Sequence, residues 1–374
     1  MKIVFLSYLH GFGGAEKQNV MLANAMAERG HEVHLVSISA DNNCYPLDER
    51  VRYRFLPDRK TNALRFVTRY QDIRRTLLEL QPDLTVNFWF QSAYLCAAMS
   101  RKITGKLIYS ERGDPGDREY SGALGLVRRL SLPRIDGFVF QSRGAQHYFD
   151  RTVQERSTVI PNPVFVKAGD YPPVSSRRKA IVTVGRLHPQ KNQALLIRAF
   201  ARIAGDFPEY TLEIYGDGEL RQNLQRQIHA LGLSDRAFLK GTSARIHDLI
   251  RDAALFVLSS DYEGMPNTLL EAMSLGIPCV STDCRPGGAR EIIEDGKDGL
   301  IVPCEDEESL AGAMAALLSD PEKAAAFSRE AILRCARFAP NAIYDAWERF
   351  FSLASGELTY RGVLFHEPEK KQDG

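Results

Sequence analysis

Two glutamates eight positions apart, Glu263 and Glu271, fall within the segment DYEGMPNTLLEAMSLGIPCVSTD (261–283). The first stands in a Gly-Pro turn and the second inside a helical pattern. Pro266 suits the first helical position, since its missing N–H would go unpaired there and its φ is already set. The N–H groups of Asn267, Thr268 and Leu269, just beyond Met265, then lack intrahelical acceptors. They lie at the positive end of the helix dipole, which makes an anion site. Glu271 lies five residues beyond Pro266, about 7.5 Å at helical rise. A carboxylate before a phosphate site and another beyond it reproduce the order of a nucleotide sugar: hexose hydroxyls, diphosphate, ribose hydroxyls. Taken alone, two acids at this spacing are also what an ordinary helix start attracts. Gly264, Pro266 and the apolar run IPCVST that follows in register favour the ligand reading.

A diphosphate leaving group gathers negative charge as its bond to the sugar breaks, and fixed cations can stabilise it without a metal. Arg186 and Lys191 in GRLHPQKN (185–192) are the candidates, one leaving a buried strand and the other expected to open the next helix. In isolation this octapeptide reads as a solvated loop. HGFGGAEKQN (10–19) joins the first strand to the first helix, and Gly13 and Gly14 would let a ligand approach the backbone closely. It is not a dinucleotide fingerprint, because Glu16 stands where the third glycine would be needed. In YSERGDPGD (109–117), Arg112 could meet a phosphate or acceptor, or pair with Glu111 or Asp114. No D-x-D element follows an apolar strand. The six cysteines show no C-x-x-C spacing, so neither a metal nor any other cofactor is expected.

These residues need scaffolding, and the chain supplies it in alternation. Strand-like runs fall at 2–9, 31–38, 51–56, 84–90, 106–110 and 137–142, and again at 180–185, 210–216, 237–241, 254–260, 277–282 and 299–302. Helical patterns at 15–29, 63–80, 193–204, 220–231 and 308–318 lie between them. Nearly uniform apolar strands separated by helices predict parallel sheets covered on both faces, an α/β fold. The Pro- and Ser-containing stretch 161–179 reads as a linker. The prediction is two Rossmann-like doubly wound domains, 1–165 and 166–340, facing a central cleft, with a final helix at about 341–356 and a polar tail. At 374 residues the chain is long enough for both.

Net charge is +1, which does not suit a nucleic-acid binder, yet residues 1–165 hold 23 basic and 17 acidic residues. The arginines there either form solvated helix faces or draw this half to an anionic membrane surface or a pyrophosphate-bearing acceptor. The run after Lys2 is too short for a signal peptide, and nothing reaches transmembrane length, so a cytoplasmic protein with at most peripheral membrane contact is expected.

The 261–283 segment resembles the E-x7-E signature of the retaining glycosyltransferases of family 4, which have the GT-B fold. GRLHPQKN matches that family's G-R-L-x-x-x-K element, and Gly13–Gly14 its N-terminal glycine loop. The resemblance covers almost the whole chain and is strongest from 180 to 305. It implies a catalytic role for Arg186 and Lys191, donor-sugar contact for Glu263, and ribose binding by Glu271. It also places Thr242 and Arg245 in KGTSARIHDL (240–249) near the nucleotide base. Ser-Glu-Arg at 110–112 departs from the histidine many relatives carry and is similar to enzymes of bacterial surface-polysaccharide assembly. IPNPV (160–164) resembles a hinge element, read as structural. The implied partners are a nucleotide-sugar donor, UDP-linked by preference, and a saccharide or polyprenyl-diphosphate-linked glycan acceptor. A nucleotide-sugar epimerase is the main alternative, followed by a two-domain ligand-binding protein and a nicotinamide dehydrogenase.

Overall fold

Side chains alternate across a strand, so a strand apolar at every position must be covered on both faces. In β1 (Lys2–Leu9), Ile3 and Phe5 enter one core while Val4, Leu6 and Tyr8 enter another. The computed structural model describes residues 1–356 apart from 12, 61, 63, 118, 119 and 166–171. Part of the expected linker and all of the polar tail lie outside the described residues.

Seven parallel strands form the first sheet: β1, β2 (Glu32–Asp41), β3 (Arg52–Leu56), β4 (Leu84–Asn87), β5 (Lys106–Ser110), β6 (Gly137–Phe140) and β7 (Ser157–Val159). Their order is β3-β2-β1-β4-β5-β6-β7. Six parallel strands form the second: β8 (Arg178–Val184), β9 (Thr211–Tyr215), β10 (Ala237–Gly241), β11 (Ala253–Leu258), β12 (Cys279–Thr282) and β13 (Leu300–Val302), ordered β10-β9-β8-β11-β12-β13. Each order reverses once, between β1 and β4 and between β8 and β11. Such a reversal parts the connecting loops and opens a crevice at the carboxyl ends of the strands. The glycine loop follows β1, GRLHPQKN follows β8 and the Glu263 segment follows β11. All three therefore leave from switch points.

The run 84–90 does not stay extended. Pairing with β5 ends at Asn87, and a helix begins at Phe90 (Phe90–Ala97). A short apolar run looks the same in a buried strand and a buried helix.

The last helix, Pro340–Ser355, packs on the first sheet, not the second. Trp347, Phe350 and Phe351 join the cluster of Ile3, Phe5, Val20 and Met26. At about 1.5–3 kcal/mol for each large apolar side chain removed from water, this stripe clasps the two halves firmly. Gly137 permits the contact, because a Cβ there would stand 2.8 Å from the Phe350 ring.

Candidate functional site

The two crevices face each other across a cleft of about 890 Å³ lined by residues of both halves. Its size suits a ligand with several rings. From the first half come His10, Gly13, Gly14, Arg112, Asp114 and Asp117; from the second come Arg186, Lys191, Thr242, Glu263, Met265, Asn267 and Thr268. The structure thus brings most of the predicted residues together on one surface.

The helix behind the anion site runs from Asn267 to Ser274 and starts one residue later than predicted. Pro266 is extended, with ψ at 96°, and serves as the N-cap instead of the first helical residue. One of the expected free donors is consequently lost, because the Leu269 N–H bonds the Pro266 carbonyl at 3.1 Å and its side chain is in the core. Asn267 and Thr268 remain half-buried on the cleft wall with no backbone acceptor for their N–H groups among the described residues. The turn before them is fixed from two sides. A Cβ on Gly264 would lie 2.2 Å from the Arg112 carbonyl oxygen, and one on Gly288 would lie 2.2 Å from that of Gly264. Glycine is required at both positions for close approach. The Gly287–Gly288 turn is thus a packing element beneath the Glu263 turn.

Glu263 is buried and accepts hydrogen bonds at Oε1 from the Lys191 ammonium and from Ser260 Oγ, the latter at 2.7 Å. Lys191 does not open a helix. It ends the 3₁₀ turn Pro189–Lys191, and Asn192, in the left-handed conformation, caps the helix that starts at Gln193. Its stem crosses Gly185, where a Cβ would meet it at 3.4 Å. Arg186 is exposed on the cleft wall, and no side-chain hydrogen bond or ion pair of its own is found among the described residues. One cation is therefore neutralised by a carboxylate and the other stands open.

Glu271 is not part of the cleft lining. Lys17 Nζ, from the first helix (Gly14–Glu28) of the opposite half, approaches its Oε1 at 3.5 Å, and His247 Nε2 approaches its Oε2 at 3.2 Å. Burial pulls the Glu271 carboxyl upward, but these two neighbours outweigh it and hold the group below its usual value. Sequence reasoning missed both partners. Lys17 stands three residues beyond the Gly-Gly turn, and that proximity is its one local signal. Arg245 also departs from expectation: it pairs with Asp248 at 2.9 Å on the surface and stays outside the cleft.

Arg112 pairs with neither Glu111 nor Asp114. Its guanidinium stacks 4.0 Å from the Phe88 ring centre, lies 5.4 Å from that of Trp347, and donates to Asn162 Oδ1 at 3.0 Å. Glu111 instead accepts from the Arg112 and Gly113 N–H groups at 3.1 Å and from the Tyr109 hydroxyl at 2.8 Å. Burial pushes the Glu111 carboxyl up, against the pull of Arg128 3.5 Å away. This buried acid braces the loop that presents Arg112. Further contacts join the halves, among them Arg285 to Asp114 at 3.8 Å and Ser142 Oγ to the Pro286 carbonyl at 3.0 Å. No group of three or more potential metal ligands occurs among the described residues.

Known proteins resemble this chain in architecture and in sequence. The family described as Glycosyltransferase Family 4 matches residues 12–167, and Glycosyl transferases group 1 matches residues 172–334. A Campylobacter jejuni GalNAc-alpha-(1->4)-GalNAc-alpha-(1->3)-diNAcBac-PP-undecaprenol alpha-1,4-N-acetyl-D-galactosaminyltransferase is 27% identical over 93% of this chain and 97% of its own. The amylovoran biosynthesis glycosyltransferase AmsD of Erwinia amylovora is 21% identical over 92% and 97%. Among solved structures, Anabaena Alr3699/HepE in complex with UDP and glucose superposes with a TM-score of 0.78 at 23% identity, covering 94% of this chain and 99% of that one. The apo lipopolysaccharide outer core galactosyltransferase WaaB gives 0.76 at 22% identity over 96% and 99%. These matches favour a transferase over an epimerase. Two facing parallel-sheet domains, the first matched by Glycosyltransferase Family 4 and the second by Glycosyl transferases group 1, identify the chain as a glycosyltransferase with the GT-B fold.

Proposed function

We propose that this glycosyltransferase moves a hexose or N-acetylhexosamine from a UDP-linked donor to a saccharide or lipid-linked saccharide acceptor, with retention of anomeric configuration. The observation that carries the reading is the cleft wall on which the open N–H groups of Asn267 and Thr268 stand with Arg186, Lys191 and Glu263. The helix start and Arg186 receive the diphosphate. Glu263 takes sugar hydroxyls, which frees Lys191 to turn toward the leaving group. Glu271 accepts the ribose hydroxyls. Cations held in a closed, water-poor cleft stabilise departing diphosphate far better than they would in bulk water. The acceptor hydroxyl enters from the side of the first half and attacks on the face the diphosphate leaves, with a diphosphate oxygen taking its proton. The fixed cations supply the charge, so a metal forms no part of the proposal.

Relatives named for undecaprenol-linked glycans, and solved neighbours holding UDP or glucose, support the choice of partners. No helix among the described residues is long and apolar enough to cross a membrane. Peripheral contact with anionic lipid at the inner face of the cell membrane is proposed for the first half. There the helix Gly122–Ser131 exposes Leu126 and Leu130 beside Arg129. The experiment is incubation with a panel of UDP- and GDP-sugars and polyprenyl-diphosphate glycans, with products read by mass spectrometry and the anomeric centre by NMR. Glycosylated acceptor with retained configuration supports the reading. Conversion of donor alone into an epimer refutes it.

A further inference from the structure

The carboxylate assigned to the donor ribose is already occupied, and by the opposite half of the molecule. Lys17 Nζ lies 3.5 Å from Glu271 Oε1 and His247 Nε2 lies 3.2 Å from Oε2, so each oxygen faces a nitrogen. A ribose diol that donates to both oxygens competes with these two nitrogens for the same carboxylate. His247 belongs to the short helix Ile246–Ile250 of the same half as Glu271. Lys17 comes from across the cleft on a four-carbon stem and holds the longer of the two contacts, 3.5 Å against 3.2 Å. Lys17 is the partner that can move.

Its other choice of anion is close by. Lys17 sits in the first turns of the Gly14–Glu28 helix, whose first residue abuts the anion site: a Cβ on Gly14 would lie 3.1 Å from Asn267 Nδ2. Glu271 and Asn267 are four residues apart on one helix, about 6 Å at helical rise, within the swing of a lysine stem. An ammonium expelled from Glu271 in a partly buried site is costly to leave unpaired. The diphosphate arriving at Asn267 and Thr268 is the anion that receives it.

We propose that Lys17 exchanges partners during donor binding, leaving Glu271 as the ribose enters and pairing with the donor diphosphate. This rests on the donor assignment of the preceding section. Lys17 is then a donor-binding residue contributed by the acceptor-side half. It opposes binding of the nucleoside, which takes its partner, and favours binding of the diphosphate, which replaces it.

Titration calorimetry of the full chain with UDP and uridine, and with GDP and guanosine in parallel, tests the exchange on wild type, Lys17→Met and Lys17→Arg. The expected result is a split in sign. Lys17→Met weakens nucleoside diphosphate binding about tenfold, the loss of one charge-assisted contact, while nucleoside binding is unchanged or tighter. Lys17→Arg keeps diphosphate binding within about threefold. Equal weakening of both ligands by Lys17→Met would mean a merely structural lysine, and tightening of both would mean a latch that never meets phosphate; either overturns the exchange. Should Lys17→Met fail to fold, weak diphosphate binding by Lys17→Arg overturns it on its own. Wild-type protein that binds none of the four probes would overturn the donor assignment itself.

Discussion

Asn162 Nδ2 donates to Asn267 Oδ1 at 2.7 Å, so the segment between the halves holds the first residue of the helix proposed to receive the diphosphate. The same side chain accepts from Arg112 Nη1 at 3.0 Å, and the Asn162 N–H points at Met265 Sδ at 3.0 Å. Asn162 is 2% exposed, and its amide joins acceptor-side and donor-side groups through one buried point. Replacing it by alanine strands the Arg112 guanidinium and frees the Asn267 side chain. Asn162→Ala is expected to cost about 1–3 kcal/mol, the penalty of an unsatisfied buried partner. It should also raise the KM for donor. Denaturant unfolding and initial rates on the same preparation check both.

Arg186 and Lys191 are expected to separate in stability although both serve the leaving group. Arg186 is exposed, so Arg186→Ala should lower kcat about 10²–10³-fold with Tm unchanged. Lys191→Ala removes the cationic partner of buried Glu263 and should lower both kcat and stability, the latter by about 3–5 kcal/mol at most for a pair this enclosed. Steady-state kinetics beside thermal unfolding distinguish the two.

The stack of Arg112 on Phe88 predicts an effect of guanidinium shape. Arg112→Lys keeps the charge but loses the planar face and the second donor arm. It should raise acceptor KM severalfold and leave donor KM near wild type, since Arg112 reaches the cleft from the first half. Product formation at varied acceptor concentration is the measurement. Equal changes in both KM values would place Arg112 on the donor.

The Glu271 carboxyl is held below its usual 4.5, so its pairing with Lys17 contributes stability that is present above that value and is lost as pH falls through the depressed pKa. Tm should therefore drop on acidification below about 4.5, and Glu271→Gln should remove that part of the drop while lowering Tm at neutral pH. Buried Glu111 acts in the opposite sense. Its pKa is raised, and its burial penalises stability as pH rises past the usual carboxylate range. Glu111→Gln should hence shift the neutral-pH end of the profile and leave the acid end alone. Thermal unfolding across pH 3 to about 8 reads both limbs.

Prolonged EDTA treatment is expected to leave the initial rate of transfer within error, because Arg186, Lys191 and the helix start supply the charge. A rate restored by Mg²⁺ or Mn²⁺ after chelation would place a metal in the reaction.

How far these residues could be read from the chain depended on how local their geometry is. The Glu263 segment was legible because Gly264 and Pro266 punctuate a turn whose next residues must expose N–H groups. Even there, the extended ψ of Pro266 moved the helix start by one residue and removed Leu269 from the anion site. The two sheets were legible from alternating runs, but β7 is a short, polar Ser157–Val159 and left no such mark. Lys17 and His247 around Glu271 could not be read. Lys17 lies 254 positions away, and only the meeting of two switch-point loops brings it there. The same holds for Asn162, whose IPNPV context reads only as a hinge, and for Arg112, whose partners Phe88 and Trp347 come from a strand end and the final helix.

Crystals grown with the UDP-sugar that supports transfer would test the central claim most directly. The account predicts diphosphate oxygens within hydrogen-bond distance of the Asn267 and Thr268 N–H groups and of Arg186, hexose hydroxyls on Glu263, and ribose hydroxyls on Glu271. A diphosphate bound elsewhere in the cleft, with both glutamates still paired with their lysines, would contradict it.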